Sequence, residues 1–131
     1  MEAWEHIAPE LPPGWSVREI DDGSWVVYMA TGPDIRCEFD SEPEATESSW
    51  AWFGSTRKRH AEQIAVERVR EAAEAEYGYD SFWVDYTYFS DGRHCLLVSS
   101  EYAKNGEAFR GQGPTLCDAA WACIQALGGG E

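Results

Sequence analysis

Three histidines, four cysteines and one glycine-bounded stretch are the places where this chain has the residue types for chemistry. The histidines are His6, His60 and His94, and all three read as exposed. They fall in an N-terminal arm, at the basic start of a helix and beside a hairpin turn. A thiol next to an imidazole makes a strong nucleophile, so Cys95 or Cys117 with His60 is the form a small-molecule hydrolase would take. No Ser or Cys motif accompanies the histidines. Cys37, Cys95, Cys117 and Cys123 contain no C-x-x-C pair and have no His at ligand spacing. Cys117 and Cys123 would point to different faces of a helix. The four read as free, partly buried thiols of a reducing cytoplasm. Acid pairs such as Asp21 and Asp22 fall in turns, where Asp is favoured for backbone reasons. No cofactor, no metal and no enzymatic activity are expected.

The stretch GQGPTLCDAAWACIQALGGG, which starts at Gly111, is the one that reads most readily as a ligand loop. A glycine loop opening onto a helix is how phosphate is often held. The spacing G-x-x-x-x-G-K-[ST] is absent, however. Thr115 is placed as an N-cap, with Asp118 three residues on, in position to reach back to it. That carboxylate already occupies the positive end of the helix dipole. Leu116, Ala120, Cys123, Ile124 and Leu127 make an apolar stripe, Ala119 and Ala122 allow close packing, and Gly128 is the expected stop. The glycines therefore delimit a packed helix.

The elements that would position these residues follow from periodicity. Residues 1–13 read as a loose or weakly helical arm ending at Leu11-Pro12-Pro13-Gly14. Trp15 and Val17, then Trp25, Val27 and Met29, then Ile35, Cys37 and Phe39 alternate with polar or opposite-face residues. The turns between them fall at Asp21-Asp22-Gly23 and Thr31-Gly32-Pro33-Asp34. This is a three-stranded acidic meander. Residues 41–49 read as an exposed acidic loop, and 50–53 as a fourth strand or a plug of buried aromatics; the acidic half extends over 15–54. Ala61, Ile64, Ala65, Val69, Ala72 and Ala73 recur at helical spacing within a helix over about 57–77 that ends at Gly78. Arg57, Lys58 and Arg59 at its start, and Glu71, Glu74 and Glu76 near its end, oppose the helix dipole. A second hairpin follows, turned at Ser90-Asp91-Gly92, then a turn at 103–106 and a short strand from Phe109. Trp15, Trp25, Trp83 and Trp121 read as core. No repeat is strong enough to mark a duplication. The expected fold is a single α+β domain: one antiparallel sheet of five to six strands with two helices packed on it, a sandwich.

Within that order, Thr115-Leu116, Ala122-Cys123-Ile124 and Ala126-Leu127 have a further reading. The stretch 111–129 resembles the closing segment of the phage ABA sandwich domain. In that family a strand leads through a Gly-x-Gly-like turn and a Thr-Leu or Thr-Pro pair into a final helix of the type A-x-C-x-A-(L/I). The upstream order of helix, strand and strand also fits, so the likeness spans residues 57–128 at most and leaves the acidic meander outside it. It implies a phage or mobile-element origin and carries over no catalytic residue.

Charge bounds the function. The chain has 131 residues and a net charge of -14. Residues 1–50 hold twelve acids and two bases, net -10, and residues 51–131 hold twelve acids and eight bases, net -4. Such a surface repels DNA, RNA and anionic membranes and favours a basic partner. Tyr86, Tyr88 and Tyr102 would form an aromatic platform, but beside Asp80, Asp85 and Asp91 rather than the Lys and Arg that base stacking uses. The first ten residues are polar and acidic, unlike a signal peptide, and no apolar run reaches membrane-spanning length. The expected location is the cytoplasm of a bacterial host. Glu19, Asp21, Asp22, Asp34, Glu38, Asp40, Glu42, Glu44 and Glu47 are the candidate partner-binding carboxylates. Together they would stand in for the phosphates of a nucleic acid and block the basic groove of a nucleic-acid-binding host protein. With the phage resemblance, this suggests an anti-defence inhibitor such as an anti-CRISPR protein. The alternatives are a structural or self-associating phage protein, homodimeric through its aromatic hairpin, and the Cys/His hydrolase.

Overall fold

The computed structural model describes residues 1–29, 35–101 and 108–128. The order is α1 (Ala3–Ile7), β1 (Trp15–Glu19), β2 (Trp25–Met29), β3 (Ile35–Phe39), α2 (Glu42–Phe53), α3 (Arg57–Tyr77), β4 (Trp83–Tyr88), β5 (His94–Ser99), β6 (Phe109–Gly113) and α4 (Leu116–Ala126). The turns expected at 31–34 and 103–106 lie outside the described residues, as do Asp34, Tyr102 and the side chain of Cys37. The class is α+β. In place of one five- or six-stranded sheet there are two three-stranded antiparallel sheets, β1-β2-β3 and β4-β5-β6. In place of two helices the described residues form four. The chain divides into two compact units, Ala8–His60 and Met1–Ile7 with Ala61–Glu131. The boundary falls within α3.

In the Ala8–His60 unit the expected meander forms. Val17 pairs with Val27, and Glu19 with Trp25, which pairs in turn with Phe39. Between Val26 and Val27 the β2–β3 register shifts. Phe39 meets Trp52 of α2 with ring centroids 5.9 Å apart, which identifies the face carrying Val17, Trp25, Val27 and Phe39 as the one under α2. Val27 is fully buried there.

Helix α2 replaces the loop and the strand or plug expected over 41–53. Its sequence signal is Ser41-Glu42-Pro43-Glu44. Ser41 is the N-cap, in extended backbone, and its hydroxyl accepts from the Glu44 N–H at 3.4 Å, with Pro43 in the first turn. Gly54 closes the helix in the left-handed region. Its acidic composition imitates a loop because the buried face is narrow: Ala45, Ser49 and Trp50. Trp50 is the largest of the three and is 5% exposed. Full burial of a large apolar side chain is worth roughly 1.5–3 kcal/mol.

The other unit is built around α4. Sheet β4-β5-β6 has an unbroken register, with Tyr86 opposite Leu96 and Leu96 opposite Gly111. A Cβ on Gly111 would run into the Ala119 carbonyl and the Cys123 amide, and one on Gly113 into Asp118. The two glycines therefore let β6 lie flush against α4, whose buried residues are all small or medium: Cys117, Ala119, Ala120, Cys123 and Ile124. Helix α3 buries Ala61, Ala65, Val69 and Ala73, one residue per turn. Trp83, expected in the core, is 52% exposed. It sits on the edge strand, on the face opposite Gly111 and α4, because the register pairs it with Ser99.

The N-terminal segment is tied down rather than loose. Ile7 and Ala8 are buried, and the His6 ring stacks on Trp121 at 4.1 Å with the planes 1° apart. Arg68 donates to the Ile7 carbonyl at 3.2 Å. Arg57 donates to the carbonyls of Pro9 and Ala8 at 3.1 and 3.2 Å. That accounts for a cation at the unfavourable end of α3, whereas Lys58 and Arg59 stay exposed. No helix among the described residues is long and apolar enough to cross a membrane.

Candidate functional site

The candidate carboxylates belong to the Ala8–His60 unit. Glu19 ends β1, Asp21 and Asp22 lie in the β1–β2 turn, Glu38 is on β3, Asp40 precedes α2, and Glu42, Glu44 and Glu47 are on α2. All eight are exposed. Among the described residues none of them forms an ion pair, whereas Arg68–Glu71 and Arg93–Asp91 pair in the other unit at 2.9 and 2.8 Å. Asp22 has a local use. The Ser24 N–H donates to it at 2.9 Å, which tightens the turn and holds its carboxyl below the ordinary range.

The register decides which of them share a side. Glu38 pairs with Val26, which pairs with Arg18, so these three lie on the sheet face away from α2. No single stripe therefore runs from Glu38 onto the helix. Arg18 on that face is engaged with Tyr28, donating to its hydroxyl at 2.8 Å.

The structure does bring Glu42 and Glu47 together with a carboxylate that the sequence reading passed over, Glu10. These three line a cavity of about 500 Å³ with Pro43, Thr46, Trp50 and Arg57. Residues 42, 46 and 50 form one stripe of α2, four residues apart. Two donors hold the facing backbone: Trp50 Nε1 donates to the Glu10 carbonyl at 2.9 Å, and Arg57 Nε to that of Pro9 at 3.1 Å. No local signal marks Glu10, because its placement depends on contacts 40 and 48 residues away in sequence. Among the described residues no three His, Cys, Asp or Glu side chains are grouped to hold a metal ion. The recess has the size and charge for an organic cation such as a guanidinium or ammonium side chain. Its carboxylates supply charge-assisted acceptors.

The residues with chemical potential are occupied structurally. His60 packs against Trp50 and Phe53 with centroids at 5.4 and 5.7 Å. His94 shares a 2.7 Å hydrogen bond with the Tyr86 hydroxyl through Nδ1. Cys95, Cys117 and Cys123 are buried free thiols. Burial, and then Cys95 nearby, pushes the Cys123 thiol up to about 11, the opposite of an activated nucleophile. At the start of α4 the protein's own oxygens take the amides that a phosphate would need. The Asp118 N–H donates to Thr115 Oγ1 at 3.1 Å, the Thr115 hydroxyl donates to Asp118 Oδ2 at 2.7 Å, and the Cys117 N–H donates to Glu62 Oε1 at 3.4 Å.

No protein-family model, curated protein or solved structure matches the chain.

Proposed function

We propose that the protein is a non-enzymatic interaction protein that docks on a cationic partner through its Ala8–His60 unit. The observation that carries this is the recess beside Trp50, lined by three carboxylates, Glu10, Glu42 and Glu47, and one cation, Arg57, which donates to the Pro9 and Ala8 carbonyls. An Arg or Lys side chain of a partner would enter the recess. The carboxylates of the β1–β2 turn and of α2 would raise the rate of encounter by long-range attraction.

The finer form of the proposal is inhibition of a basic, nucleic-acid-binding host protein or complex, as an anti-CRISPR or other anti-defence protein would achieve. The net charge of -14 and the resemblance of residues 111–129 to a phage domain support it. Because Glu38 faces away from α2, recognition is local to the recess and does not copy a long run of phosphates.

The test is capture of basic proteins from a bacterial lysate on the immobilised chain, released by a salt ramp, with Glu42→Lys/Glu47→Lys alongside. The captured partner should leave the double variant at clearly lower salt, since exposed charge pairs weaken with ionic strength. Equal release from both chains, or release that salt does not affect, would sink the proposal.

A further inference from the structure

We propose that β4 is a docking edge where an extended, cationic segment of another protein adds to the sheet as a further strand. Strand β4 ends the order β4-β5-β6, so among the described residues one of its sides has no partner strand. Its pairing with β5 runs through six residue pairs without a bulge. The Phe89 N–H donates to the Arg93 carbonyl at 2.9 Å, which makes 89/93 a hydrogen-bonded pair. By the alternation of an antiparallel ladder, the N–H and C=O groups of Val84, Tyr86 and Tyr88 then point to the open side.

Natural edges are blunted with Lys, Pro or bulges, because an open row of backbone groups templates pairing. The strand WVDYTY has no Lys and no Pro. It instead presents Trp83, Tyr86 and Tyr88 at 52%, 49% and 61% exposure. Tyr86 and Tyr88 lie on the face that carries Gly111, and Trp83 on the other, so an added strand would meet an exposed aromatic on either face of the edge.

Charge selects the occupant. Asp85 stands mid-strand and is exposed, as is Asp80 in the preceding turn, while Asp91 in the following turn is paired with Arg93. A second copy of this chain would set acid against acid across the new ladder, which is destabilising. A basic strand meets carboxylates instead. Trp83 lies two residues from Asp85, on the same face, and offers its ring to a guanidinium whose charge Asp85 balances. Strand β1, at the edge of the other sheet, lacks this character, since its mid-strand Arg18 is itself a cation. Main-chain hydrogen bonds would supply the affinity and the alternate side chains the specificity.

This surface and the acidic recess lie in different compact units, and separate readouts distinguish them. The probe is a capped peptide of alternating Arg and Val. Its comparators carry Glu for Arg, or Pro for Val at alternate positions. Tryptophan fluorescence titration and amide hydrogen exchange are measured on the full chain. The Arg-Val peptide should slow exchange saturably at Val84, Tyr86 and Tyr88, a readout separate from any occupation of the acidic recess, which the Ala8–His60 amides report. Asp85→Asn should weaken binding at β4 about fivefold, the scale of an exposed ion pair, and Asp85→Lys should shift preference to the Glu peptide. In Glu42→Lys/Glu47→Lys, the saturable protection of Val84, Tyr86 and Tyr88 should persist even where binding at the recess is lost; its loss there would overturn the assignment to β4. Equal affinity for the Pro-interrupted peptide would overturn strand addition. Concentration-dependent protection of the same amides without peptide would assign the edge to a second copy. Absence of saturable binding up to millimolar peptide would also overturn it.

Discussion

Each compact unit contains a three-stranded antiparallel meander followed by a helix, yet the two fill the space between sheet and helix in different ways. In β1-β2-β3 with α2, aromatic side chains fill the contact: Trp52 meets Phe39 of the sheet, Trp50 is buried against Phe53, His60 and the Glu10 carbonyl, and the β2–β3 register shifts. In β4-β5-β6 with α4 two glycines remove the gap, and small helix residues close onto the strand. The first hairpins nevertheless turn alike. Asp22 accepts from the Ser24 N–H and Asp91 from the Arg93 N–H, with Gly23 and Gly92 at φ of 86° and 90°. The same order of elements therefore does not require the same packing. A large side chain or a bare backbone can each satisfy a sheet that must be covered on one face. The difference has a functional side. Bonded to the Glu10 carbonyl through Trp50, α2 leaves a recess beside that contact, whereas in the other unit the aromatics of β4 lie at an open edge.

The contrast makes predictions about stability. Trp50→Ala should have the largest effect, about 4 kcal/mol, because it leaves a cavity and strips a donor from the Glu10 carbonyl. Urea denaturation followed by circular dichroism measures it. A loss below about 1 kcal/mol would mean that α2 is not anchored by this residue. Gly111→Ala should follow at about 3 kcal/mol, since the new Cβ meets helix backbone that cannot rotate away. No comparable penalty is expected from a small-to-larger change at exposed Ser16 in β1. If both changes are neutral in thermal melts, close approach is not what distinguishes the two packings. The caps should differ least. Ser41→Ala and Thr115→Ala should each cost about 1 kcal/mol, the latter more, because Thr115 and Asp118 bond reciprocally while Ser41 accepts one 3.4 Å bond. Equal losses in matched denaturation curves would remove that distinction.

Charge shows how far a linear reading carries. Split by sequence position, the first fifty residues hold most of the excess acid. Split by unit, Ala8–His60 has ten acids and five bases, net -5, and the remainder fourteen and five, net -9. The asymmetry reverses because Arg57, Lys58 and Arg59 belong to the Ala8–His60 unit, and Glu2 and Glu5 to the other. Arg57 was legible as a cation at the wrong end of a helix. Its bonds to the Pro9 and Ala8 carbonyls were not, since nothing local marks an acceptor 48 residues away. The exposure of the candidate acids could be read from type alone. The grouping of Glu42 and Glu47 with Glu10, and the separation of Glu38, could not.

Local patterns were enough for the strands, for α3 with its stripe of Ala and Val, for the Asp-Gly turns and for the Thr115 cap of α4. Each is set by residues within one or two turns of chain, where side-chain period and backbone preference act directly. Helix α2 was within reach through Ser41-Glu42-Pro43-Glu44, but its acidic surface outweighed that short signal. The division into two sheets, the flush seat of Gly111 on α4, the outward turn of Trp83 and the recess at Glu10 all depend on which distant segments meet. Those meetings are chosen by the joint burial of side chains from many elements, and no stretch of the chain carries that information alone.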